Sequence, residues 1–189
     1  MRQKQLLVGS GPYIKEWWGI HSGAFKYVNC INTSIEVVGM NHHRWYVSED
    51  YFYHHDWSMP SMLKRLGQKF VALKMTTSWI KKPHFYDCPW NGTMLVNCIY
   101  DILNRATLDE TPTELSLVGC DLDYSGNKTH FYEGGTNDPR RIPDDILIGH
   151  LSKVKRDFSP MHEILTLGPT PSILPFPQGD PELVWNPGS

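Results

Sequence analysis

Residues 115 to 132 read LSLVGCDLDYSGNKTHFY. The run is apolar through Val118, stops at Gly119, and then releases Asp121, Asp123, Tyr124, Lys128, His130 and Tyr132 within thirteen residues. A strand that is apolar at almost every position is covered on both faces, as in a parallel sheet flanked by helices. In such sheets ligands sit outside the carboxyl ends of the strands, which is where this burst of polar chemistry falls.

Working outward, the same pattern recurs. Gln5 to Val8 is a short apolar run that ends in Gly9-Ser10-Gly11-Pro12, and a helix start follows from Tyr13 to Trp18. Glycines let a backbone approach a ligand closely, and a helix start offers free N–H groups. The loop is neither GxGxxG nor a P-loop, because Pro12 and Tyr13 follow the second glycine and no Lys-Ser/Thr pair does. Further strands are expected at Lys26 to Ile31, Arg44 to Val47 and Lys69 to Met75. They end in Asn32-Thr33-Ser34, Ser48-Glu49-Asp50 and Thr76-Thr77-Ser78. A last strand is expected at Glu163 to Leu167. Strands that all end in polar residues imply one shared edge facing a ligand.

Helices are expected at Ser61 to Leu66, Gly92 to Arg105 and Pro143 to about Phe158. In the second of these, Met94, Leu95, Cys98, Ile99 and Ile102 make one apolar face. Gly134 to Pro139 has the composition of a loop that orders over a substrate. Beyond the last strand, Pro175, Pro177, Pro181 and Pro187 rule out a regular element. The expected architecture is therefore α/β: a single Rossmann-like domain over residues 1–174, with a mostly parallel sheet, helices on both faces and a short lid. An extended proline-rich tail over 175–189 completes it.

With 189 residues the chain suits one domain. A net charge of −2 predicts no general attraction to nucleic acid or anionic lipid. The opening MRQKQLLVGSGP has no apolar core long enough for a signal peptide or a membrane span, so a soluble, cytoplasmic protein without a membrane partner is expected. Cys30, Cys88, Cys98 and Cys120 have no paired spacing, which argues against a disulfide framework and a zinc site. Neighbouring histidines such as His42-His43 and His54-His55 point apart on a strand and are poor chelators of one ion.

Two positions have two readings each, and a third spells a metal-holding pair. Asn91-Gly92 either caps the following helix or faces a ligand. His150 lies beside the apolar stripe Ile146, Leu147, Leu151 and Val154, as a hydrogen-bonded core histidine or as a general base. Asp121-Leu122-Asp123 spells D-x-D, a pair of carboxylates that can share a divalent cation bridging a diphosphate.

These residues, in this order, resemble the sialyltransferase-like glycosyltransferases, in particular the small bacterial sialyltransferases and the related motility-accessory transferases that modify flagellin. Gly9-Ser10-Gly11-Pro12 is similar to the family's Gly-Asn-Gly-Pro nucleotide loop, with Ser10 in place of the asparagine. Asn32 stands where the family places an asparagine after the second strand, and Asn91-Gly92 resembles its Ser-Gly pair. Leu117 to Tyr124 resembles the Gly-x-Asp segment with its downstream tyrosine, and Lys128-Thr129-His130 is similar to the motility-accessory version. Ile148-Gly149-His150 matches the segment carrying the catalytic histidine, and Leu167 to Ser172 resembles the terminal Cys-Pro-x-Ser strand end. The chain departs from the pattern after the third strand, where Ser48 or Glu49 replaces a third asparagine, and in a shorter lid.

The resemblance implies an inverting glycosyltransferase that carries a nonulosonic or sialic acid from a CMP donor to an acceptor hydroxyl. It implies His150 as general base and Tyr124, Tyr132 and His130, with Lys128, around the leaving phosphate. Gly9, Ser10, Gly11, Pro12, Asn32, Asn91, Gly92, Gly119, Asp121 and Ser172 would hold the nucleotide. No cofactor or metal is required by that reading. The alternatives are a metal-dependent transferase using a UDP-type sugar through Asp121 and Asp123, and a pterin-type diphosphokinase using ATP and magnesium. A binding module without catalysis, with the tail as its contact, is a third. The acceptor is open between a glycan, a protein and a nucleic acid, and a homo-oligomer is compatible with the sequence.

Overall fold

The computed structural model describes residues 1–47, 70–72, 93–121, 143–169 and 172–186. Its centre is a six-stranded sheet in the order β4-β3-β2-β1-β5-β6, with every pairing parallel. The strands are β1 (Gln3–Val8), β2 (Tyr27–Ile31), β3 (Arg44–Val47), β4 (Phe70–Ala72), β5 (Thr113–Val118) and β6 (Glu163–Thr166). The helices are α1 (Ile14–His21), the single turn α2 (Ile35–Val38), α3 (Met94–Leu108) and α4 (Asp144–Phe158).

Alternation along the strands separates two cores. Leu6 and Val8 of β1 pack with Ile14 and Trp17 of α1, whereas Leu7 between them packs with Ile99 of α3 and Leu151 of α4. Successive side chains on a strand point to opposite faces, so α1 and α2 cover one face and α3 and α4 the other. β5 obeys the same rule: Leu115 and Leu117 face α3, and Val118 faces α1. The α/β class and parallel sheet read from the apolar runs are therefore present.

Helix α3 starts at Met94, two residues after the expected Gly92, because Thr93 is its cap and accepts Val96 N at 3.4 Å through Oγ1. It is buried almost all round, and its inner side carries the polar Asn97, Asp101 and Asn104. Asp101 Oδ2 accepts from the Tyr46 hydroxyl of β3 at 3.0 Å and from Arg105 Nε at 2.8 Å. The expected helix at Ser61 to Leu66 and the lid at Gly134 to Pro139 lie outside the described residues.

The segment after β6 packs on the body. Leu174 and Phe176 enter the core beneath α3 and α4. Thr166 N then donates to Pro177 O and Gly179 N to Thr166 O, both at 2.9 Å, in a parallel bridge along the outer edge of β6. Leu183 and Trp185 reach the opposite face, where Trp17 Nε1 donates to Leu183 O at 2.6 Å. This strap covers a sheet edge that would otherwise offer unpaired backbone groups. Among the described residues no helix is long and apolar enough to cross a membrane.

Candidate functional site

The sheet order reverses between β1 and β5: β2, β3 and β4 lie on one side of β1, and β5 and β6 on the other. At such a reversal the connections leave the carboxyl edge in opposite directions and open a crevice. The loop Gly9 to Pro12 and the turn Gly119 to Asp121 meet there. Gly9 N donates to Val118 O at 2.8 Å and Gly11 N to Gly119 O at 2.9 Å. A Cβ on Gly9 would strike the Gly119 carbonyl, and one on Gly11 would stand 2.8 Å from Gly119 Cα. Gly119 has φ +66, in the left-handed region that glycine adopts without strain. Three glycines are thus required by contact or conformation at one point.

Asp121 is the carboxylate at that point. Its Oδ1 accepts from the Tyr13 hydroxyl at 2.9 Å, and Tyr13 Oη accepts the Gly119 N–H at 3.0 Å. Its Oδ2 lies 3.1 Å from where a Cβ on Gly11 would be, and a Cβ on Gly168 would collide with Oδ1. The carboxylate therefore sits among the loops that follow β1, β5 and β6. Burial, with the nearby Asp121 charge, holds the Tyr13 phenol well above its ordinary pKa, so it remains a donor. Trp185 stacks on the Tyr13 ring with centroids 5.2 Å apart and planes 12° from parallel.

Asn32 follows β2 at φ +47, a left-handed backbone that asparagine tolerates better than most residues. Its carbonyl accepts Trp45 Nε1 at 2.7 Å. Ser34 Oγ accepts Ile31 N at 2.9 Å and donates to Val8 O at 2.8 Å, tying this turn to the end of β1. Ser10 and Pro12 are half-buried. Ser172 Oγ accepts Leu174 N at 3.1 Å, which makes it the start of the strap's turn.

Helices α3 and α4 lead into the starts of β5 and β6, so their N-termini open on the same carboxyl edge. His150 lies in the second turn of α4, on the half of that helix nearer the edge. It is partly exposed, its Nδ1 is buried without a hydrogen-bond partner among the described residues, and burial lowers its pKa below the ordinary 6.5. It is not a saturated core histidine. No described contact joins it to Asp121.

Tyr124, His130, Tyr132, Lys128, Asp123, Asn91 and Gly92 lie outside the described residues. Among the described residues no group of three or more His, Cys, Asp or Glu side chains is arranged to hold a metal ion, and the test of the D-x-D pair falls on Asp123.

A cavity of about 210 Å³ lies at the opposite, amino edge of the sheet, lined by Arg2, Lys155, Phe158, Ser159, His162 and Glu163. Its polar groups already serve one another and the backbone. Arg2 pairs with Glu163 at 2.6 Å and Lys155 Nζ donates to Pro175 O at 3.0 Å. His162 Nδ1 accepts Thr113 N at 3.1 Å, which assigns its proton to Nε2 for Thr107 Oγ1 at 2.8 Å. The convergence of glycine loops and an anchored carboxylate favours the carboxyl edge instead.

Sequence reading missed Tyr13, Gly168 and Trp185. Tyr13 carried a signal, since it follows the Gly-Ser-Gly-Pro turn at the head of a helix. Trp185 carried none, because its partner is distant in the chain. No protein-family model, curated protein or solved structure matches this chain.

Proposed function

We propose that this chain is an inverting glycosyltransferase of Rossmann-like, sialyltransferase-like type, which moves a nonulosonic or sialic acid from a CMP donor to an acceptor hydroxyl. The observation that carries the reading is the meeting of Gly9, Gly11 and Gly119 around Asp121 where the sheet order reverses. The start of α1 beside these loops suits a phosphate, and a carboxylate at a strand end suits ribose hydroxyls.

In this proposal His150 takes the proton of the acceptor hydroxyl as its oxygen attacks the anomeric carbon. The bond from that carbon to the phosphate oxygen breaks in the same step, which inverts the centre. A base must be neutral to accept a proton, and a lowered histidine pKa keeps it so at neutral pH. Negative charge gathers on the departing nucleotide, where fixed donors stabilise it without reorganising. Tyr124, Tyr132, His130 and Lys128 are the proposed donors on the strength of the resemblance. Asn32 and Ser172 would complete the nucleotide contacts.

A thermal-shift panel tests the reading. CMP at about a hundredfold excess over its dissociation constant should stabilise the chain by about 2.7 kcal/mol, a rise of a few degrees, without added metal. Protection by UDP only with a divalent cation would replace it with a diphosphate-sugar transferase. Protection by ATP only with magnesium would indicate a diphosphokinase. No shift with any nucleotide would overturn the proposal.

A further inference from the structure

The strap that follows β6 ends on the candidate site. Gln178 Nε2 donates to Gly168 O at 2.9 Å, Trp185 N donates to Leu167 O at 2.9 Å, and the Trp185 ring lies flat on Tyr13. Tyr13 is the described side chain that connects the Asp121 carboxylate to the Gly119 N–H. The strap thus grips both the loop after β6, which walls in Asp121, and the ring whose hydroxyl anchors it. The Tyr13 ring is buried in the core on the α1 side of the sheet, and the Trp185 ring covers one of its faces. Offset-stacked rings of this kind add stabilisation beyond the area they bury.

We propose that Trp185 is a positioning residue and the C-terminal strap a working part of the site. By holding the Tyr13 ring, Trp185 keeps the hydroxyl between Gly119 and Asp121, and so sets the carboxylate for ligand binding. The functional consequence rests on the nucleotide reading above, whereas the positioning itself does not. The tail is then neither a spare extension nor primarily a surface for another protein.

Two readouts on the full chain separate these parts. Amide hydrogen exchange at Gly119 reports the Tyr13 hydrogen bond directly, with urea unfolding of the same samples giving the global stability. Trp185→Ala should speed Gly119 exchange about tenfold beyond what its global stability explains, whereas Trp185→Phe, which keeps a stacked ring, should stay within about twofold of wild type. CMP titration calorimetry is the second readout. Trp185→Ala should weaken CMP about tenfold, and in a Tyr13→Phe background the same change should add less than about twofold, because both act through one hydroxyl. Unchanged Gly119 exchange in folded Trp185→Ala would overturn the proposal, as would losses that multiply in the double variant. Should Trp185→Ala not fold, Trp185→Leu removes the stack while keeping apolar volume and is read the same way. If wild type binds no nucleotide, the transferase reading falls, and Gly119 exchange alone still decides the role of the strap.

Discussion

Gly119 joins backbone conformation to chemistry in one residue. A side chain there meets Gly9 O at 3.0 Å and a φ of +66, so Gly119→Ala should lower the unfolding free energy by about 1–3 kcal/mol in urea melts. His150 is partly exposed on α4, and the proposed mechanism makes it the general base. His150→Gln should reduce turnover by about 10²–10⁴-fold with CMP affinity unchanged. Because burial lowers its pKa, activity should fall on acidification with an apparent pKa below 6.5, and a wild-type profile centred above 6.5 would contradict this. The meeting of the Gly9-Gly11 loop with the turn at Gly119 and Asp121 was partly legible, because glycine-rich turns and polar residues after apolar runs are local signals. Tyr13 and Trp185 were not, since Tyr13 reaches Gly119 across 106 residues of chain.

Elements were legible wherever periodicity was strong. The strand at Arg44–Val47 coincides with its expected span, and α4 begins one residue after the expected Pro143. The start of α3 was harder to read, because Asn91 and Thr93 are both good caps and only the Thr93–Val96 bond distinguishes them. Thr93→Ala should cost about 1 kcal/mol in chemical denaturation. The junction of α3, β5 and β6 turns on His162, which is buried as the neutral ring between Thr113 and Thr107. Burial, then the Arg2 charge, lowers its pKa below that of the unfolded chain. The unfolded state therefore binds the proton more readily. Stability should be full above about pH 6.5 and decline as pH falls from there toward the folded-state pKa. A His162→Gln variant should show a shallower decline over that window in pH-dependent urea melts.

On the scale of the whole molecule, the order β4-β3-β2-β1-β5-β6 was not readable from the sequence, because each strand looks alike locally and pairing is decided by distant partners. The apolar runs carried the class, and the reversal beside β1 brought the loops after β1 and β5 together at the carboxyl edge. The carboxyl edge at that reversal is the proposed nucleotide site, and the cavity at the amino edge is the alternative place for a ligand. Amide chemical-shift mapping during a CMP titration of the isotope-labelled full chain tests it most directly. Saturable shifts should concentrate at residues 9 to 13, at Asn32 and at residues 119 to 121. Shifts confined to Arg2, His162 and Glu163 at the opposite edge, or none at millimolar CMP, would contradict it.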